Sequence, residues 1–121
     1  MSDYTRYAAI LRFVARKTDQ SEERIAAMME DLLKAADQIE QTGRFTVAPD
    51  HAASTARAFA GVAAFLQQQI LPEAVAHGDK EAENQIRWTI SAAMDGVNTL
   101  LAAMAEDQTK VIEVVVPDNP Q

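Results

Sequence analysis

Residues 79–106, DKEAENQIRWTISAAMDGVNTLLAAMAE, decide the fold. Set at 100° per residue, Ile86, Ile90, Ala93, Met94, Val97, Leu100, Leu101 and Met104 share one apolar stripe, the pattern of an amphipathic helix. Gly78 suits the close of a preceding helix, and Asp79 can cap the new one by accepting a hydrogen bond from an otherwise unpaired backbone N–H. At 1.5 Å per residue the helix is roughly 42 Å long, well beyond the ordinary ~11–12 residues. It forms a spine for the shorter helices that come before it.

Upstream of the spine, periodicity predicts three helices, over residues 4–16, 21–40 and 50–71. In the first, Tyr4, Tyr7, Ile10, Leu11 and Val14 make one stripe, while Phe13 falls off it beside Arg6 and Lys17. An off-stripe Phe of this kind is expected under a neighbouring helix. Asp19 followed by Glu22 has the spacing of a reciprocal helix cap, and Ile25, Met28, Met29, Leu32, Leu33, Ala36 and Ile39 form the buried side of the second helix. Gly43 ends that helix, Arg44 to Val47 has extended character, and Pro49 suits the first turn of the third. Pro72 kinks or restarts the third helix near its end.

Beyond the spine, Val111-Ile112-Glu113-Val114-Val115-Val116 is β-branched and closed by Pro117, which reads as a strand over 111–116. Unpaired, it would be an exposed apolar edge. Within the chain only Arg44 to Val47 can pair with it; its own copy in a second subunit or another protein are the alternatives.

The expected class is all-α, a single domain over 1–121: an antiparallel four-helix bundle with a long C-terminal helix and a short C-terminal β-strand. Frequent Ala and scarce aromatics favour helices that approach closely. The chain has no Cys, which excludes thiolate chemistry and disulfides and fits a reducing compartment. No run approaches the ~20 apolar residues of a membrane span, so a cytoplasmic protein without membrane contact is expected, and the alanine-rich composition suggests a bacterial one. The net charge is −7, with residues 1–18 at about +3 and the remainder at about −10. An acidic body disfavours nucleic acid, whose affinity comes from Lys and Arg neutralising phosphates.

No catalytic, cofactor or metal residue is expected. Glu73 and His77 share a face at i and i+4, but zinc proteases need two histidines and a glutamate on one helix, and di-iron bundles need Glu-x-x-His on two. His51 stands at a helix start, followed by Ser54 and Thr55, whereas a phosphotransfer histidine stands mid-helix. Asp37-x-x-Glu40 is a lone carboxylate pair at a helix end, too little for a magnesium cluster. Neither a Gly-rich phosphate loop nor a Gly-x-Ser-x-Gly turn is present.

The sole Trp carries more information. Trp88 lies about 200° from the centre of the spine's stripe, near Asp95, with Ala92, Gly96 and Ala103 between the two faces. A subunit or partner interface is the favoured explanation, and cover by the first helix is the rival. Expected interaction residues are therefore Trp88 and Asp95 with Val114, Val115 and Val116 of the strand. The overhanging spine, Trp88 and the strand point to a homodimer. The expected function is a small acidic protein–protein interaction module of the adaptor, chaperone, immunity or inhibitor type, suited to a partner with a basic surface. A nucleic-acid-linked regulator using the basic first helix and a small metal-dependent hydrolase using helix-borne carboxylates are the alternatives.

Overall fold

The computed structural model describes residues 3–118. Helix α1 is Asp3–Lys17 and α2 is Glu23–Thr42, followed by strand β1, Arg44–Val47. A 3-10 turn at Pro49–His51 opens α3, Ala52–Phe65, which passes through a π-helical turn at Leu66–Ile70 into α4, Leu71–Ala76. Helix α5, Lys80–Glu106, is the 27-residue spine, and β2, Ile112–Val115, ends the fold. The described chain is thus mostly helical, four helical rods and a two-stranded sheet, and none of the helices is long and apolar enough to cross a membrane.

Local chemistry sets the boundaries. Asp79 caps α5 by accepting from the Ala82 N–H at 3.1 Å. Gly43 closes α2 at φ 75°, a left-handed conformation that few side-chain-bearing residues adopt, and its N–H donates to the Ile39 carbonyl at 2.8 Å. The Tyr4 ring occupies the space a Cβ would take there, 2.6 Å away. The reciprocal cap expected from Asp19 and Glu22 does not form. Helix α2 starts only after Glu22, so Asp19 stands too far upstream and instead accepts from the Ser21 N–H at 3.0 Å, closing a local turn. Pro72 restarts its helix as expected, and the wide turn before it is the accommodation: Pro supplies no N–H to a helical partner and its ring crowds the carbonyl four residues back.

Strands β1 and β2 pair antiparallel, Arg44 with Val115 and Val47 with Ile112, which answers where the β-branched run finds its partner. Phe45, Val47, Ile112 and Val114 point inward and are buried, with Phe45 stacked on Phe59 of α3 at 5.1 Å. Val114 reaches α5 at Gly96, its Cγ1 3.7 Å from where a Cβ would stand. The buried face of α5 keeps Ile86, Ala93, Val97 and Leu100 of the expected apolar stripe and widens on one flank to Thr89, Ala92 and Gly96. On the far side of the stripe Met94 and Leu101 remain 37% and 51% exposed. An added Cβ at Gly96 would meet Val114 at ordinary van der Waals distance, so the sheet packs on this face of α5 without requiring glycine there.

Candidate functional site

The two edges of the sheet differ. The Val116 N–H donates to the Gly43 carbonyl at 2.9 Å, and alternation along an antiparallel pair then turns the N–H and C=O groups of Arg44 and Thr46 outward on β1, and those of Glu113 and Val115 outward on β2. On β1 three of those four groups, all but the Thr46 carbonyl, are met by the last turns of α2. The Thr46 N–H donates to Gln38 Oε1 at 3.0 Å, the Arg44 N–H to Thr42 Oγ1 at 3.3 Å, and the Thr42 hydroxyl donates to the Arg44 carbonyl at 3.0 Å. On β2 no described residue meets the outward groups of Glu113 and Val115.

A groove of about 480 Å³ runs beside this open edge, lined by Thr99, Ala103 and Glu106 of α5 and by Asp107, Lys110, Val111, Ile112 and Glu113. Val111 and Val115 are 66% and 59% exposed. Glu113 is bound by Arg44 across the strands at 3.0 Å, and Asp107 accepts from the Thr109 N–H and hydroxyl, which lowers its pKa. Lys110 lies 3.8 Å from Asp107, and Glu106 makes no ion pair with a described residue. With Glu113 paired to Arg44 and Asp107 near Lys110, Glu106 leaves the groove one net negative charge.

A second polar cluster lies beyond β1. Asp31 Oδ2 meets His51 Nδ1 at 3.1 Å and accepts from the Ser54 hydroxyl at 3.2 Å, and the bond to Asp31 is the chief cause that raises the His51 pKa. His51 lines a cavity of about 220 Å³ with Asp31, Lys34, Gln38, Thr46 and the buried Thr55. Its Nδ1 is committed, so Nε2 is the nitrogen left to meet anything bound there. Ser54 bonds the carboxylate rather than the imidazole, so the contact a serine nucleophile needs with its base is not made. This pairing joins residues 20 apart on α2 and the turn before α3, and no spacing rule would have revealed it.

The residues singled out from sequence fall in different places. Trp88 is half-buried with its ring edge-on to Tyr7 of α1 at 5.7 Å, so α1 supplies cover for it. Tyr7 is fully buried, and burial, with the nearby Asp95 carboxylate, pushes its phenol pKa up. Asp95 itself is exposed. Val114 and Val116 are core residues, because alternate strand positions point inward; of the strand valines proposed for an interface only Val115 presents its side chain to solvent. Phe13 is half-buried against Phe65 at 6.2 Å, with the Lys17 ammonium over its ring.

Arg12 of α1 donates to Asp37 at 2.7 Å and to Glu40 at 3.3 Å, which raises its pKa. One guanidinium of the basic first helix is thus spent on the carboxylate pair considered for magnesium. Among the described residues no three His, Cys, Asp or Glu side chains gather as a metal site. No family model, curated protein or solved structure matches this chain.

Proposed function

We propose that this chain is a small protein–protein interaction module that binds by accepting an extended segment along the free edge of β2. The single observation behind it is the asymmetry of the sheet: α2 side chains meet both outward N–H groups of β1, whereas the outward backbone groups of Glu113 and Val115 are met by no described residue, and Glu113 lines a groove. Strand addition uses such groups for affinity and alternate side-chain positions for specificity. The four rods are taken as an antiparallel bundle that holds the sheet rigid. A reducing compartment such as a bacterial cytoplasm suits the cysteine-free, alanine-rich composition.

The test is selection of short peptides from a displayed random library on the full chain. Val115→Pro removes one outward N–H while leaving every β1–β2 bond in place, since proline is tolerated where a strand's N–H faces solvent. Binders that retain the parent and lose the folded Val115→Pro variant support the reading. Binders indifferent to that change, or none at all, would sink it.

Self-association is a second reading, favoured by one observation. Met94 and Leu101 stand exposed beside a shallow groove floored by Ala53, Ala56, Ala60 and Val97 of α3 and α5, a face that a second copy would cover. Light scattering decides it: a dimer mass for the parent and a monomer for Leu101→Glu is the expected pair, and a monomeric parent removes it.

A further inference from the structure

Resting on strand addition at β2, we propose that the added segment belongs to a different protein and is basic, with Lys or Arg opposite Glu113 and β-branched residues on either side. Three features of the edge lead there. A third strand hydrogen-bonded to Glu113 and Val115 places one residue directly across from Glu113 on the solvent face, beside the Arg44–Glu113 pair. Directly opposed side chains interact, and a cation there extends the row of alternating charge. Its neighbours in sequence point the other way, over Thr99 and Ala103, whose small side chains leave room for branched ones, and toward Glu106, a carboxylate that no described residue pairs.

A second copy fits this edge worse. Pairing β2 with itself so that Val111 faces Val115 of a second copy sets Glu113 against Glu113, and like charges directly opposed are destabilising. Shifting the register by two residues sets the carboxylate against Val115 and leaves Val111 against Pro117. Each copy also brings a net charge of −7, which a basic segment would be drawn to rather than repelled by.

The peptides recovered in the library selection carry the answer in their composition. Expected are alternating β-branched sequences with a central Lys or Arg, and replacing that residue by Glu weakens binding to the full chain by roughly three- to fivefold, the size of a cross-strand charge effect. Glu113→Lys should then prefer the Glu-bearing peptide, and amide exchange at Glu113 and Val115 should slow when the basic peptide is bound. Edge-dependent binders without charge preference would overturn the basic partner and leave strand addition standing. A dimer of the parent that Val115→Pro dissolves would give the edge to a second copy and overturn the foreign one. Binders insensitive to Val115→Pro would remove both readings together.

Discussion

Strands β1 and β2 are equally short, pair with each other along their whole length, and bury alternate side chains, Phe45 against Phe59 of α3 and Val114 against α5 at Gly96. Yet β1 lies under the last turns of α2, where Gln38 and Thr42 act as substitute strand partners, whereas β2 returns from a loop beside the far end of α5 and meets no such side chains. Two polar residues of one helix, four apart, therefore separate an edge whose N–H groups are met from one whose groups are met by no described residue. Neither a β-propensity nor a burial pattern distinguishes the two strands.

The largest effect expected on this contrast comes from its shared support. Phe59→Ala removes the fully buried ring stacked on Phe45 and should cost about 3–5 kcal/mol in denaturant unfolding, loosening both edges at once. Gly43→Ala comes next, at about 1–3 kcal/mol, because a side chain there must hold positive φ and meet the Tyr4 ring. A loss below ~0.5 kcal/mol would mean that the turn joining α2 to β1 rearranges freely.

Gln38→Ala should open the closed edge at Thr46 while Thr42 still holds Arg44. It leaves the Thr46 N–H without its acceptor, and a loss of about 1 kcal/mol is expected. Amide exchange read residue by residue is the sharper measurement: in the parent, Arg44 and Thr46 should exchange more slowly than Glu113 and Val115, and in Gln38→Ala the Thr46 amide should join the fast group. Equal rates at all four in the parent would break the contrast outright.

The smallest effect concerns the cluster beyond β1. The Asp31 bond raises the pKa of His51, so the stability it adds is fully present below the ordinary histidine value of about 6.5 and is lost as pH rises through the higher folded value. The melting temperature of the parent should exceed that of His51→Gln at pH 6 and converge on it at alkaline pH. A His51 titration by NMR at or below the ordinary value would show that the Asp31 contact is not held in solution.

Much of the fold was legible because helices announce themselves locally. Asp79 caps the spine as its position suggested, Gly43 ends α2, and Pro72 interrupts the third rod. The candidate site was legible only in part. Val115 could be singled out as part of an apolar strand, but Val114 and Val116 came with it, since a run of three valines does not say which of them faces inward. Gln38 and Thr42 look like ordinary polar positions at a helix end, and their role exists only once β1 lies beside them. Trp88 shows the same boundary: its angle placed it off the apolar stripe, while the neighbour over it, Tyr7, comes from the other end of the chain.

Periodicity, caps and β-branching, all local along the chain, were enough to determine the long spine, the rods before it and a strand at the end. The widening of the buried face of α5 onto Thr89, Ala92 and Gly96, and which edge of the sheet stays open, were decided only by tertiary packing. Val114 packs on α5 at Gly96 and Gln38 satisfies Thr46 because the fold brings them near, and proximity between distant parts of the chain does not enter a hydrophobic pattern.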